Sequence, residues 1–330
     1  MSVPQISVLV VAYNSAAFIE ECILAVQRTV RKTSYELLLI DNGKDGTEQL
    51  VSSRFPEVRV LPSQGNIGFA AANNELARHA RADKLLLLNP DMVVCDEAVD
   101  ALYDGSLRHP EAVAWGGLTL GQDGEPDAGN RVAIPEFAEL LSFALGRSLA
   151  GRADRQSLSR EGPARVLMGG FVLICRGTWR AFGGLDERFF LYCEEVDFFV
   201  RLEDAGHKCW RIPAARARHF IAHGNNLSGP RLLFRAAGAV EFIKKHWPAG
   251  LRAVGIFLLW LGAFNRFIGG IVLGNFSGRA RKIGSAYRAM AMQPLHFVYG
   301  YHRDNGLATR LGIVDWLERR NGGKFDGAEG

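Results

Sequence analysis

The feature that most constrains the fold is a regular alternation of short apolar runs with amphipathic stretches in the first part of the chain. Runs rich in Val, Ile and Leu predict strands at residues 6–13, 35–41, 58–62 and 84–89. The stretches between them predict helices at residues 15–30, 47–54 and 69–80. This order is typical of a mainly parallel sheet with right-handed crossovers, and strands that are apolar throughout indicate helices on both faces. We therefore expect an α/β fold.

Polar residues or glycines lie at the carboxyl end of each of these early strands or directly after it. They are Tyr13 and Asn14, then Asp41 and Asn42, then Gly65, Asn66 and Gly68, then Asn89 and Asp91. Open α/β sheets bind ligands at the carboxyl ends of their strands. A single Asn, Asp or Gly is an ordinary turn former, but four successive strand ends of this kind predict a ligand site. The motifs GxGxxG after the first strand and GxxxxGK[ST] are both missing, which disfavours a Rossmann dehydrogenase and a P-loop NTPase.

Composition places the chain among folded proteins. With 330 residues, 48% hydrophobic and 22% charged, it suits one large α/β domain with an appendage, or two domains. Its five cysteines are scattered and form no CxxC pair, so we expect neither a zinc knuckle nor a disulfide framework, and we expect a reducing compartment. The first five residues carry no basic group, so no secretory signal is expected.

The C-terminal part differs in charge from the rest. Residues 1–230 carry 24 basic and 29 acidic groups, whereas residues 231–330 carry 15 and 6. This asymmetry predicts an anionic partner for the tail, a membrane surface or a nucleic acid. The apolar run at 251–276 is interrupted by Arg252, Asn265 and Arg266, and its pieces are shorter than a spanning helix. We expect two short helices at a membrane interface, with a buried core helix, a true span and an oligomer interface as alternatives.

Several longer segments are specific in combination. In chain order they are VAYNSAAFIEECI, LLIDNGKDGT, NIGFAAANN, LLLLNPDMVV and MGGFVLICRGTWRAFGGLDERFFLYCEEVDFFVRLEDAGH. From residue 4 to about 230 the chain resembles family 2 inverting glycosyltransferases with the GT-A fold, and most of all their bacterial rhamnosyltransferase-like members. The resemblance implies a GT-A catalytic domain at 1–230, with a nucleotide-binding half at 1–120 and an acceptor and catalytic half at 121–230. A helical, membrane-associating extension at 231–330 would follow.

The resemblance also implies a donor site. Asp41 would accept a hydrogen bond from the pyrimidine ring of the nucleotide, a charge-assisted bond, although a turn or helix-capping Asp is the alternative. Tyr13 and Asn14 would line the base and ribose pocket, unless Tyr13 is a core tyrosine. The other implied donor-binding residues are Asn66, Gly68, Asn73, Asn89, Asp91, Gly169 and Gly170. Asn73 fits a role in capping or cross-linking loops equally well.

A metal site is implied at Asn89-Pro90-Asp91. Asp91 takes the place of the last Asp of the family's DxD motif, which coordinates Mg²⁺ or Mn²⁺ on the donor diphosphate. Asn89 stands where the motif's first Asp usually lies, and this departure leaves metal dependence less firmly implied than the fold. His219 or His223 would contact the metal or the diphosphate, and spacing alone does not choose between them.

The general base is implied to be Glu195. It takes the position of the acid that removes the acceptor's proton, with Glu in place of the usual Asp. Neighbouring negative charges at Glu194 and Asp197 raise a carboxylate's pKa towards a useful value, and either residue is an alternative base. These acids also suit a helix N-terminus.

The implied reaction transfers rhamnose from dTDP-L-rhamnose to a lipid-linked saccharide in bacterial cell-envelope polysaccharide synthesis, with a UDP-hexose as the second donor. The enzyme would lie in the cytoplasm, peripheral to the inner face of the cytoplasmic membrane. A sugar-nucleotide nucleotidyltransferase would need a Gly-rich phosphate loop that residues 14–17 do not supply. A non-catalytic membrane scaffold or a nucleic-acid binder would explain the tail but not the acids at 194–197, and we expect no nucleic-acid partner.

Overall fold

A computed structural model describes residues 3–147, 158–220 and 229–301, and it confirms the predicted alternation. Its first elements are β1 (Ile6–Ala12), α1 (Ile19–Thr29), β2 (Tyr35–Asp41), α2 (Thr47–Arg54), β3 (Arg59–Leu61), α3 (Phe69–His79) and β4 (Lys84–Leu88). The bounds of β2 and α2 are those predicted. The first helix begins four residues later than predicted, because the Phe18 N–H donates to the Ser15 carbonyl and residues 15–18 form a turn.

The remaining elements complete two compact units. They are β5 (Met92–Val94), α4 (Ala98–Arg108), β6 (Ala112–Leu120), α5 (Phe137–Ala144), β7 (Gly162–Ala164), β8 (Phe171–Cys175), α6 (Arg176–Ala181), α7 (Glu194–Asp204), β9 (Lys208–His219), α8 (Gly229–His246), α9 (Ala249–Leu273), α10 (Gly278–Met292) and α11 (Pro294–Val298). The first unit comprises Met1–Val132, Arg152–Glu187 and Glu195–Asn225. The second comprises Ala133–Gly151, Arg188–Glu194 and Asn226–Gly330.

The first unit is built on one sheet. In the described part of the chain its strand order is β3-β2-β1-β4-β8-β6-β9-β5, and β7 also pairs with β9. The strands β3, β2, β1 and β4 are mutually parallel, whereas β8 runs antiparallel to both β4 and β6. Ala12 pairs with Asp41 in register, so the carboxyl ends of β1 and β2 lie side by side.

Helices cover both faces of this sheet. Leu37 and Leu39 of β2 point into a core with α1 and α4, while Leu38 and Ile40 point into a second core with α3 and α7. A strand whose alternate residues are both buried must be apolar throughout, which explains the continuous apolar runs of the sequence. All five cysteines lie in the described ranges and are free, and burial is the main cause that raises the pKa of Cys22 to about 12.

The second unit is helical in its described part. Leu140 and Phe143 of α5 share a core with α8, α9 and α10, which is why residues 133–151 belong with the C-terminal helices. Residues 133–151 and 188–194 belong to this second unit together with the C-terminal helices.

The prediction of two short helices at 251–276 is wrong, because α9 is one continuous helix of 25 residues. Its polar side chains bond within the unit instead of breaking the helix. The Asn265 amide donates to the Ala144 carbonyl (2.8 Å), and the Arg266 guanidinium donates to the Phe143 (2.9 Å) and Gly262 (2.8 Å) carbonyls.

Candidate active site

Three loops meet at the carboxyl ends of β1 and β2 and the start of α3. A β-carbon at Gly43 would lie only 2.6 Å from the Asn14 backbone nitrogen, so glycine is needed where the first two loops touch. The Asn42 side-chain amide donates to the Gly68 carbonyl (3.1 Å) and joins the third loop to the second. The polar ends of β1 and β2 and the loop before α3 are therefore neighbours in space.

Asp41 lies at the centre of these loops. Its carboxylate accepts the Gly43 N–H (2.7 Å) and the Glu48 N–H (3.1 Å), so it caps the first turn of α2. Burial raises the pKa of Asp41, and these two hydrogen bonds oppose the rise. A carboxylate has about four lone-pair sites, which leaves acceptor capacity for a ligand N–H beside the capping role.

Tyr13 is the exposed aromatic group of this region. Its side chain is 56% exposed, so it is not a core tyrosine. The next residue, Asn14, has a positive φ of 50°, which an Asn tolerates better than most residues. The turn thus presents an aromatic ring at the carboxyl end of β1.

The third loop contains Asn66 and Gly68. The Asn66 side chain accepts the Gly68 N–H (3.3 Å), and Gly68 has a φ of 82° just before α3 begins. Asn73 is buried and donates to the Phe69 carbonyl of its own helix (3.0 Å), which favours a structural role. The cross-link to another loop is made by Asn74, whose amide bonds Leu185.

Gly169 and Gly170 lie between two functional segments. A β-carbon at Gly170 would be 2.6 Å from the Asn89 side-chain nitrogen, and the Asn89 N–H donates to the Gly170 carbonyl (2.9 Å). A β-carbon at Gly169 would be 3.2 Å from the Glu195 β-carbon. Two adjacent glycines therefore let the Asn89-Pro90-Asp91 turn and the start of α7 approach the same point.

Asp91 faces a buried histidine. His219, the last residue of β9, places Nε2 3.0 Å from an Asp91 carboxylate oxygen and Nδ1 2.7 Å from an Asp127 carboxylate oxygen. Burial lowers the pKa of His219, but the hydrogen bonds and charges of the two aspartates outweigh it and raise the pKa to about 9. The ring thus bridges two carboxylates, with one partner at each ring nitrogen.

A divalent cation fits this donor set only with further ligands. Among the described residues no group of three or more His, Cys, Asp and Glu side chains is arranged to hold a metal. Asp91 and His219 offer one carboxylate and one imidazole, which suits an ion that takes its other ligands from phosphate and water. His223, the other predicted histidine, lies outside the described residues.

The acids at the start of α7 occupy different surroundings. Asp197 is fully buried in an ion pair with Arg201 (2.9 Å), and Arg201 also donates to the Phe182 and Gly184 carbonyls. These contacts favour a structural role for Asp197. Glu194 is buried and Glu195 is half-buried, so Glu195 is the more accessible of the adjacent pair.

The backbone before these acids is strained. Tyr192 and Cys193 both have positive φ angles, 69° and 71°. Left-handed non-glycine residues cost of order 1–3 kcal/mol each and occur preferentially at functional sites.

The family model for "Glycosyl transferase family 2" matches residues 7–177. That span holds the three loops, the Asn89-Pro90-Asp91 turn and both glycines. The chain belongs to this family. Its GT-A α/β fold and its glycosyltransferase activity follow, and the nucleotidyltransferase and scaffold alternatives are set aside.

Two curated relatives of this family 2 glycosyltransferase, from different organisms, are named rhamnosyltransferases. It is 33% identical over 239 residues to an N-acetylglucosaminyl-diphospho-decaprenol L-rhamnosyltransferase of Mycobacterium tuberculosis, covering 66% of this chain and 76% of that one. It is also 26% identical to rhamnosyltransferase WbbL of Escherichia coli, covering 58% of this chain and 75% of the relative.

Solved structures share the fold. GalNAc-T7 with UDP, GalNAc and Mn²⁺ matches 76% of this chain and 54% of its own with a TM-score of 0.56. The mannosyltransferase PcManGT of Pyrobaculum calidifontis, with GDP-Man and Mn²⁺, matches 89% and 88% with a TM-score of 0.54. Both are 14% identical, so the likeness concerns the fold.

Sequence reasoning missed two residues of this region. Asp127 lies in a turn-rich stretch, GQDGEPDAGN, whose acids look like ordinary turn formers, and only the fold brings it to His219. Arg201 follows Asp197 by four residues on a helix, a spacing that places the two side chains on one face and could have revealed their ion pair.

Proposed function

We propose that the chain transfers a rhamnosyl group from dTDP-L-rhamnose to a lipid-linked saccharide, with inversion at the anomeric carbon, in bacterial cell-envelope polysaccharide synthesis. The observation that carries the proposal is the pair Gly169 and Gly170, beside which Asn89 and Glu195 come together. A donor diphosphate near Asn89 would thus lie close to a carboxylate able to act on an acceptor. The printed names of the mycobacterial and Escherichia coli relatives support rhamnose as the sugar.

Glu195 is the proposed general base. Inverting transfer needs a group that accepts the acceptor hydroxyl's proton as the oxygen attacks the anomeric carbon. Glu195 is half-buried and follows the buried Glu194 at the start of α7. The Asp197 carboxylate forms an ion pair with Arg201.

Asp91 and His219 would hold a divalent cation, Mg²⁺ or Mn²⁺. When bound, such an ion neutralises charge on the leaving diphosphate. Their atoms lie 3.0 Å apart, so one ion could draw on both side chains. His223 stays a second predicted contact.

The three loops would bind the nucleotide. The exposed Tyr13 ring offers a face on which a base can stack, and Asp41 offers a charged acceptor for a ring N–H. The other proposed donor-binding residues are Asn14, Asn66, Gly68, Asn73, Asn89, Asp91, Gly169 and Gly170.

A UDP-hexose is the second candidate donor. Its support is a match to the "Low-salt glycan biosynthesis hexosyltransferase Agl10" of Haloferax volcanii, 24% identical over 59% of this chain and 61% of the relative. Both donors carry a pyrimidine with a ring N–H, so Asp41 would serve either one.

The second unit would lie on an anionic bilayer, at the inner face of the cytoplasmic membrane. In the described part of the chain α9 is the one helix long and apolar enough to cross a membrane, and only 28% of its most apolar 18-residue stretch is buried. Its polar Asn265 and Arg266 bond to α5 and to the helix itself. Its exposed apolar side chains, here called the apolar face of α9, are Val254, Phe257, Ile268, Ile271 and Val272.

Packing against α5 and α10 argues for a helix that lies on the membrane instead of crossing it. A β-carbon at Gly270 of α9 would be 2.4 Å from the Gly284 α-carbon of α10, so the two helices cross in close contact. The exposed Arg279 and Lys282 of α10 supply positive charge, and Arg281 and Lys282 line an open groove of about 450 Å³. Self-association through the apolar face is the alternative.

The test is transfer from a donor panel. Purified full-length chain is incubated with a polyprenyl-diphosphate-linked N-acetylglucosamine acceptor and dTDP-L-rhamnose, UDP-glucose or UDP-galactose. We expect a rhamnosylated product that does not form with either UDP-sugar. If product forms with a UDP-hexose and not with dTDP-L-rhamnose, the donor is a UDP-hexose. If none of the three donors gives product, the proposal is contradicted.

A further inference from the structure

Asp127 is a buried acid in the turn after β6. This turn is fixed to the end of the strand by backbone and side-chain bonds. The Asp127 N–H donates to the Thr119 carbonyl (3.0 Å), and the Asn130 amide donates to the same carbonyl (2.7 Å) and to the Asp127 carbonyl (2.9 Å). The position of the Asp127 backbone is therefore set by β6.

The Asp127 carboxylate is fixed as well. One oxygen accepts the Gly129 N–H, and the other lies 2.7 Å from His219 Nδ1. The side chain is only about 2% exposed. Because both Asp127 oxygens are held, the carboxylate cannot move with the His219 ring. Rotation of the ring would therefore break its bond to Asp127.

His219 is held from its backbone too. It pairs with Met92 in the β5–β9 ladder, and the next N–H, that of Phe220, donates to the Asp91 carbonyl (2.9 Å). With the backbone in place, two side chains orient the ring: Asp127 at Nδ1 (2.7 Å) and Asp91 at Nε2 (3.0 Å), of which Asp127 is the more deeply buried. A ring that donates from Nδ1 presents its other nitrogen, Nε2, as the group that can face a ligand.

We propose that Asp127 is a positioning residue that orients the His219 ring, so that Nε2 and the Asp91 carboxylate face one divalent cation. The inference rests on the metal site of the proposed function and extends it to a residue that touches neither donor nor acceptor there. Partners of this kind set the orientation of metal-binding histidines, and losing one typically weakens metal affinity about 10- to 100-fold.

The test measures Mn²⁺ binding, with and without dTDP, from the electron paramagnetic resonance signal of free Mn²⁺ over full-length protein. The variant is Asp127→Asn, which removes the charge at nearly constant shape. The control is Asp123→Asn, an exposed acid of the same turn that accepts the Glu125 N–H. We expect Asp127→Asn to bind Mn²⁺ about 10- to 100-fold more weakly. Asp123→Asn should bind like the unchanged chain.

A second readout separates positioning from folding. If Asp127 acts through the cation, the variant needs more Mn²⁺ for half-maximal transfer but regains most of its turnover at saturating Mn²⁺, and its metal-free affinity for dTDP is unchanged. Equal Mn²⁺ affinity in the variant and the unchanged chain overturns the inference alone. Absence of Mn²⁺ binding in the unchanged chain overturns the metal site of the proposed function as well.

Loss of folding is covered by further variants. If Asp127→Asn does not fold, Asp127→Ser and Asp127→Ala are measured in the same way. A chain that folds only with the carboxylate at residue 127 contradicts the positioning role and makes Asp127 a structural residue.

Discussion

The two units deal with apolar surface in opposite ways. Among the described residues, 18 large hydrophobic side chains are exposed, and 14 of them belong to the second unit. The four in the first unit are Val3, Tyr13, Leu107 and Phe220. A sheet covered by helices on both faces leaves little apolar surface, whereas a layer of helices leaves one side open. The first unit is thus suited to hold a polar reaction centre, and the second to meet an apolar surface.

The largest expected effect lies in the first unit. Glu195→Gln removes the proposed base while keeping the shape of the side chain, and we expect turnover to fall about 10²- to 10⁴-fold with donor affinity unchanged. Steady-state transfer and dTDP titration measure the two quantities. Glu194→Gln is the control, and a larger loss of turnover there than in Glu195→Gln would move the base by one position.

Metal removal should come next. EDTA and Asp91→Asn should each lower transfer by about 10²-fold or more, because several kcal/mol of charge stabilisation on the diphosphate are lost. Added Mn²⁺ should restore the chelated enzyme but not the variant. Full turnover in EDTA would show that protein cations alone neutralise the diphosphate.

A third substitution tests whether membrane binding belongs to the second unit alone. Phe257→Asp places a charge on the apolar face of α9, where the Phe257 side chain is 53% exposed. Removing one aromatic side chain that the bilayer would bury costs about 1.5–3 kcal/mol of membrane-binding free energy. Binding to phosphatidylglycerol vesicles should therefore weaken about 10- to 100-fold. Transfer to a short, soluble acceptor analogue should not change.

The matched control for this change is Leu107→Asp, at an apolar side chain of the first unit with a similar exposure of 59%. It should leave vesicle binding intact. Two results together would contradict the membrane assignment: Phe257→Asp binds vesicles as well as the unchanged chain does, and Phe257→Asp abolishes self-association. The apolar face of α9 would then be an oligomer interface.

The smallest effect concerns charge. Arg279→Gln and Lys282→Gln should each weaken vesicle binding about fivefold, since a basic group near an anionic surface contributes about 1 kcal/mol. The loss should shrink as salt is raised and vanish on neutral phosphatidylcholine vesicles, which co-sedimentation measures. An equal loss on neutral vesicles would mean that the substitutions act through packing.

The sequence predicts the first unit much better than the second. The strand runs are apolar on both faces and end at polar residues, so β2 and α2 are found at their exact bounds. In the second unit, Asn265 and Arg266 look in the sequence like interruptions of an apolar helix. Nothing in the neighbouring sequence shows that α5 supplies the backbone carbonyls to which their side chains donate hydrogen bonds. The addition of residues 133–151 to that unit is likewise a product of tertiary packing.

In the candidate site, too, contacts that follow from the order of the strands could be predicted, whereas contacts between residues far apart in the chain could not. Loop residues such as Asn14 and Asp41 could be placed near one another because parallel strands end at one edge. His219 is expected near Asp91 only through the family resemblance, and Asp127 could not be placed beside His219, because 92 residues separate the two in the chain. The Asp197–Arg201 pair shows how a buried ion pair can resemble a catalytic acid in the sequence.

The central claim is that the first unit performs inverting transfer of a rhamnosyl group. The most direct measurement is proton NMR of the reaction with dTDP-L-rhamnose, which follows the anomeric signals of donor and product in time. The account predicts that the first product formed has the anomeric configuration opposite to that of the donor, and that Glu195→Gln forms it far more slowly. A product with the donor's own configuration would contradict single displacement with Glu195 as the base.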